Sequence, residues 1–409
     1  MAQLKGIEYL RRKLASKQVR VITRYTFYEM KNKTKDLMIS TPPSLRGWMT
    51  SLGWCAKAVD SLADRLVFYG FKDDNFGMKE IFDMNNADTL FDSAILGALI
   101  SSCCFIYISE DESGYPRLQV IDGANATGEM DPITGMLTEG YAVLKRDGGL
   151  PVIEAYFTPG QTVIYDKEQK YQIIKNNLAP YPLLVPIIYR PDAIRQFGHS
   201  RISRACMSIQ GSAIRTVKRA ELSGEFYSFP QKYVLGLSPD AEMMDKWKAT
   251  MSSLLEFDQD ENGNYPTVGQ FTQQSMQPHT DQLRMFASLF AGETGLTLDD
   301  LGFATENPSS AEAIRATHEN LRVAGRKAQR TFGTGFLNVG YLAACIRDQY
   351  AYQRSQVYMT KPEWDPIFEP DAAMLSGIGD AILKMNQAVP GFLGRSNMRN
   401  LTGLDSDNE

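Results

Sequence analysis

"LTLDDLGFATENPSSAEAIRATHENLR", residues 296–322, closes one helical pattern and opens another. The opening is firm. Ser309 and Glu312 have the spacing of a capping box, in which the serine hydroxyl can accept from the Glu312 N–H and the glutamate side chain can reach back to the Ser309 N–H. Pro308 stands just before the cap, and the periodic pattern that follows runs to about residue 349, longer than an ordinary globular helix. Between Leu296 and Ser310 lie Asp299, Asp300, Glu306 and Asn307, one aromatic (Phe303) and no basic residue. The stretch reads as an acidic segment held at both ends, with Leu301 and Phe303 packing its base.

The helices on either side follow from periodicity. Upstream, Leu283, Phe286, Ala287 and Phe290 share one face of a helix over 278–293. Before it, residues 198–226 place Ile202, Cys206, Ile209, Ala213, Val217 and Ala220 on one face. Arg201, Arg204, Arg215, Lys218 and Arg219 fall off that face. Downstream, Arg315, Arg322, Arg326 and Arg330 make a basic stripe on the long helix. Glu312 and Glu319 stand three residues before the first two and suit salt bridges. An intersubunit face or a phosphate contact are the other readings of this stripe. Gly333 and Gly335 are expected to kink the helix.

Further out, residues 1–40 are polar and helical, and Cys55, Val59, Leu62 and Leu66 mark one apolar helical face. From Phe105 to Ile188 the period changes to two. "FIYISED", "RLQVID", "GYAVLKRD", "PVIEAYFT", "QTVIYD" and "YQIIKN" are separated by "ESGYP", "RDGGLP", "TPGQ" and "DKEQ", which is strand-and-turn chemistry. Residues 227–271 read as a small mixed insertion. "PEWDPIFEPD" supplies a strand, Ala372–Gln387 a last helix, and "LDSDNE" a disordered tail. The fold class is α+β.

With 409 residues, 43% of them hydrophobic, the chain is long enough for about two to four domains with real cores. Its 43 basic and 48 acidic residues leave a net charge of −5, which argues against gripping nucleic acid by phosphate neutralisation. Cys55, Cys103, Cys104, Cys206 and Cys345 form an odd, unpatterned set that suits a reducing setting. The N-terminus has no apolar core and does not read as a signal peptide. The uncharged run 93–109 is too short to span a membrane, and reads as a buried helix running into a strand.

The chemistry of an enzyme is hard to find. There is no phosphate-binding GxxxxGK[ST], and "GTG" at 333–335 lies within a helical pattern. His199, His279 and His318 are scattered and carry no metal or triad spacing, so no cofactor is expected. Asp258, Asp260, Asn262 and Gly263 match the first half of a calcium loop. The twelfth position is Gly269 rather than glutamate and Pro266 interrupts, so "ENGNYP" is better read as an Asn-Gly turn.

Four stretches in order, "RYTFYEM", "WCAKAVDSLADRLVFYGF", "IYRPDAIRQFGHSRISRACMSIQGSAIRTVKRAELSGEFYSFPQKYVLG" and "LTLDDLGFATENPSSAEAIRATHENLRVAGRKAQRTFG", resemble the portal proteins of tailed bacteriophages, of the type found in long-tailed phages of Gram-positive hosts. The similarity covers most of residues 20–340 and departs at the short C-terminus. It implies a wing at 1–197, a first stem helix at 198–226, a clip at 227–275 and a second stem helix at 276–295. A tunnel loop at 296–309, a long wing helix at 310–350 and a reduced crown with a tail at 351–409 would follow.

The resemblance further implies a ring, dodecameric in the virion, at one capsid vertex. Duplex DNA would pass through it without sequence recognition, and the host cytoplasm would be where it assembles. Partners would be the terminase large subunit, head–tail connector proteins, and the major capsid and scaffolding proteins, with no membrane. The clip, with Lys232, Asp258, Asp260 and Asn262, would dock them. Asp299, Asp300 and Glu306 would face the DNA and repel it so that it slides. The implied role is structural rather than enzymatic. A connector protein without a channel, or a metal-dependent nucleotide-processing enzyme using Asp258 and Asp260, are the alternatives.

Overall fold

The computed structural model describes residues 4–35, 47–228, 232–235, 267–270, 275–303, 317–368, 370 and 372–404. Two compact units emerge, one of residues 1–32, 53–207 and 293–409, the other of 33–52 and 208–292.

In the first unit the N-terminal helix α1 (Ile7–Tyr28) buries Leu10, Leu14 and Val21, one stripe at helical spacing. Helix α2 (Trp54–Ala63) follows, with Cys55, Val59 and Leu62 buried along with Leu66 beyond it. Strand β1 (Phe68–Lys72), helix α3 (Met78–Asp83) and helix α4 (Ala87–Ser101) lead into β2 (Cys103–Glu110). The uncharged run is thus a buried helix feeding a strand, and Cys104 is fully buried while Cys103 is only half-buried.

The period-two region is a set of antiparallel strands. They are β3 (Pro116–Ile121), β4 (Ala126–Met130), β5 (Leu137–Asp147), β6 (Leu150–Thr158), β7 (Gln161–Asp166), β8 (Tyr171–Asn176) and β9 (Leu184–Ile188). Strands β4 to β8 form a five-stranded meander in sequence order, and β3-β2-β9 form a second sheet. Two of these strands escape the sequence reading for physical reasons. Strand β4, "ATGEM", is short and poor in strand formers. Strand β9 carries Pro186, which argues against a strand until its place at a sheet edge is known.

Two buried glutamates fix α1 to the meander. The backbone N–H groups of Lys5 and Gly6 donate to the Glu139 carboxylate at 2.9 and 3.0 Å, and the Tyr156 hydroxyl donates to it at 2.8 Å. A carboxylate at the start of a helix complements its dipole. Glu154 accepts from Tyr141 at 2.7 Å, from Lys167 at 2.8 Å and from Arg11. Burial pushes its carboxyl up, but Lys167, Tyr141 and Arg11 outweigh burial and hold it below the usual carboxylate range. Leu10 and Leu14 pack beside this network with Tyr141 and Val143, and each buried leucine contributes about 1.5–3 kcal/mol.

The second unit carries most of α5 (Arg204–Ser228), the strands β10 (Lys232–Leu235) and β11 (Thr267–Gln270), and most of α6 (Gln277–Thr294). The strands pair antiparallel, Lys232 opposite Gln270. Thr216 donates to Gln282 across the two helices at 3.0 Å, and Ala213, Ile214, Ala287 and Phe290 are buried. On α5 the buried side is centred on Cys206, Gln210, Ala213, Ile214 and Thr216, rotated from the face expected, so that Ile209, Val217 and Ala220 are only half-buried.

Back in the first unit, the long helix α7 (Glu319–Arg347) packs on β9, α3 and the strand β12 (Lys361–Trp364), which pairs with β1. The helix runs uninterrupted through Gly333 and Gly335. They are contact points. A Cβ on Gly333 would stand 2.8 Å from Pro362 Cβ, and one on Gly335 2.7 Å from Ile187 Cδ1. Phe336 sits among Phe68, Phe91 and Trp364. Helices α8 (Ala372–Ala388) and α9 (Arg395–Thr402) complete the described chain, the second of them unforeseen from sequence.

Candidate functional site

The acidic segment leaves α6 through Gly295, whose φ of 71° ends the helix in the left-handed region. A Cβ there would meet Asn320 Cβ at 3.2 Å, so the start of the segment lies against the start of α7. Leu296 and Leu301 are buried, and Phe303 is half-buried. A short 3-10 turn, Asp299–Leu301, is closed by Leu301 N–H and Phe303 N–H, both donating to the Leu298 carbonyl at 3.0 Å.

Asp299 and Asp300, adjacent in sequence, are used differently. The Asp300 carboxylate accepts from the N–H and the hydroxyl of Thr297, both at 2.9 Å, while the Asp300 N–H donates to the same hydroxyl at 3.2 Å. This is a reciprocal box of the capping kind. His318, at the mouth of α7, brings its Nε2 to 3.4 Å from the same carboxylate oxygen. Burial raises the Asp300 carboxyl, but Thr297 and His318 prevail and hold it below its ordinary value. Asp300 was expected to face the DNA with Asp299; in the structure its Oδ2 takes the Thr297 N–H and hydroxyl and lies beside His318, which ties the start of the segment to the start of α7. Asp299 is exposed.

The anchorage extends behind the segment. Arg201, assigned from sequence to the polar side of its helix, is buried just before α5. Its Nε donates to the Ala58 carbonyl at 3.0 Å and its Nη2 to the Thr294 carbonyl at 2.7 Å. A guanidinium with fixed donors suits the carbonyls at the end of α6, which have no partner within the helix. Ser203 adds a hydrogen bond to Glu293 at 2.8 Å.

On α7, Arg322 pairs with Glu319 three residues earlier, at 2.6 Å. Arg326 and Arg330 are exposed. Arg330 and Lys327 line a concavity of about 920 Å³ together with Asp131 and Arg190. Lys232 starts strand β10. Glu306, Asn307, Ser309, Glu312, Arg315, Asp258, Asp260 and Asn262 lie outside the described residues.

Sequence reasoning missed Thr297, His318 and Arg201. The first had a signal: Thr297 and Asp300 repeat, twelve residues earlier, the spacing that marked Ser309 and Glu312. The other two had none, because their partners are 18 residues or more away in sequence. No group of three or more metal-ligating side chains occurs among the described residues, all five cysteines are free, and no described helix is long and apolar enough to cross a membrane.

No family model matches the chain. Two curated proteins do, both named portal protein. That of Mycobacterium phage L5 is 24% identical over 320 residues, 72% of this chain and 65% of its own length. That of Mycobacterium phage D29 is 24% identical over 332 residues, 75% of this chain and 67% of its own. The chain therefore spans about two thirds of the relatives it matches. Among solved structures, it is similar to a chain from the neck of an empty gene transfer agent particle computed with C6 symmetry. The identity is 16%, the coverage 94% of this chain and 99% of that one, and the TM-score 0.46. A chain from the native gene transfer agent virion matches at 14% identity over the same shares, also with a TM-score of 0.46. By sequence, the chain is similar to the portal proteins of these two mycobacterial phages over about three quarters of its length.

Proposed function

We propose that the chain is a portal subunit. Copies of it form a ring, a dodecamer in the virion, at one capsid vertex, and double-stranded DNA enters and leaves through the centre. In this reading residues 1–197 and 310–350 make the wing, 198–226 and 276–295 the stem, 227–275 the clip, 296–309 the tunnel loop and 351–409 the crown. The terminase docks on the clip during packaging, and head–tail connector proteins replace it. The observation that carries the proposal is the similarity to two portal proteins over nearly three quarters of the chain.

The acidic segment supports the mechanism. It leaves one helix, is tied at its base by Thr297, Asp300 and His318, and re-enters a long helix. Such a base holds an exposed carboxylate in a defined place. Asp299, repeated around the ring and joined by Glu306, repels the phosphates of passing DNA and keeps the duplex from adhering.

Negative-stain images of the purified protein test the ring: annular particles with a central opening are expected, and monomers at high concentration would remove the proposal. Asp299→Lys then tests the loop, since it spares the Asp300 anchor. Rings and proheads should form normally, with DNA packaging or release slowed, most at low ionic strength. Wild-type packaging and ejection by this variant would sink the repulsive-loop mechanism.

A further inference from the structure

Helix α1 turns one charged stripe, Lys13, Lys17, Arg20 and Arg24, toward a cavity of about 310 Å³ within the first unit. Arg195 and Phe197 line it as well. Lys17 Nζ stands 4.8 Å from the centre of the Phe197 ring and Lys13 Nζ 5.3 Å from it, so the aromatic face holds both ammonium groups at the cavity. Arg24 donates one nitrogen to the Ser101 carbonyl at 2.8 Å, which orients its guanidinium.

The charges here are poorly compensated. One carboxylate, Glu129, reaches the cluster, and it is shared between Lys13 and Lys5. Asp192, three residues from Arg195, is engaged by His199 at 2.6 Å. Lys17, Arg20, Arg24 and Arg195 have no ion-pair partner among the described residues. Cations four residues apart on a helix repel, and the repulsion grows where water is excluded. Burial, then Lys13 and Arg20, draw the Lys17 ammonium below its ordinary pKa, and burial followed by Arg20 and Arg195 does the same to Arg24. A bound anion of high charge density offsets the repulsion among these cations.

We propose that this cavity is a binding site for a phosphate group, either free or in the backbone of a nucleic acid. Three guanidiniums and two ammoniums around a concave site match several phosphate oxygens better than one carboxylate. The cavity is built within one chain and needs no ring, so it stands or falls apart from the channel.

Inorganic pyrophosphate is the probe. Equilibrium dialysis of the full chain at low ionic strength should show saturable binding, weakened roughly tenfold or more in Lys17→Glu with Arg20→Glu and unchanged in Lys327→Glu. Pyrophosphate should also protect Lys17 of the wild-type chain from acetylation, read by mass spectrometry, which keeps the test sound should the double variant misfold. Displacement of pyrophosphate by a short DNA duplex identifies the backbone as the source. Binding that duplex leaves untouched identifies free phosphate. Absence of saturable binding, binding undiminished in the double variant, or acetylation of Lys17 unaffected by pyrophosphate overturns the proposal. So does a double variant whose only defect is loss of self-association, which would assign the cations to an acidic protein surface.

Discussion

Between Glu319 and Arg330 the long helix α7 buries Leu321, Gly325 and Ala328, one narrow stripe, and sends its arginines outward. From Phe332 to Ile346 every residue but Thr334 is buried. One helix thus serves as a surface element at its start and as the central post of a core at its end. The first half obeys amphipathic periodicity. The second half is enclosed by α3, β9 and β12, and the closeness of those neighbours is what selects glycine at 333, 335 and 340. A glycine costs a helix roughly 1 kcal/mol relative to alanine, so its presence three times in this half is offset by tight packing around it.

The comparison breaks most readily at Gly333. Its missing side chain faces the ring of Pro362 and the indole nitrogen of Trp364, at 2.8 and 3.2 Å from a built Cβ, and neither group has slack. Gly333→Val should cost about 2–3 kcal/mol by overpacking, read as a lower midpoint in urea unfolding. A loss under about 0.5 kcal/mol would mean that the enclosed half is loosely packed.

A smaller effect is expected where the first half begins. Asp300→Ala removes the box with Thr297 and the contact with His318, at about 0.5–2 kcal/mol of local stability. Hydrogen exchange of the Thr297 and Leu301 amides should rise while the enclosed half stays protected. Because the Asp300 carboxyl is held below its unfolded value of about 3.9, its contribution is full above that pH and is lost as pH falls through the lower folded value. The wild-type difference over the variant should therefore begin to shrink as pH falls below about 4 and vanish once the pH is below the folded value. If it persists there, the carboxylate is not the source.

The least effect belongs to Arg322. Its pair with Glu319 is exposed and near in sequence, so Arg322→Ala should leave the melting temperature unchanged within error. A clear drop in the melting temperature of the isolated chain would show that the surface half carries stability after all. A drop seen only in assembled material would assign the arginines to a subunit interface.

Periodicity in the sequence located the helices around residues 54–66, 87–101 and 319–347 and six of the antiparallel strands, β2, β3 and β5 to β8, because burial against one face imposes a repeat that survives without any knowledge of partners. The acidic stretch after Leu296 and the missing phosphate loop were equally plain, being matters of composition and spacing. Tertiary structure alone decided the rest. Pro186 in a strand, Arg201 inside rather than outside, Glu139 and Glu154 as buried anchors, and the packing role of Gly333 all depend on residues far away in the chain. It also separated Asp299 from Asp300, which composition treats alike: a carboxylate beside a threonine hydroxyl and a histidine becomes a fastener, while its neighbour, one peptide earlier on the turn, stays exposed to whatever passes.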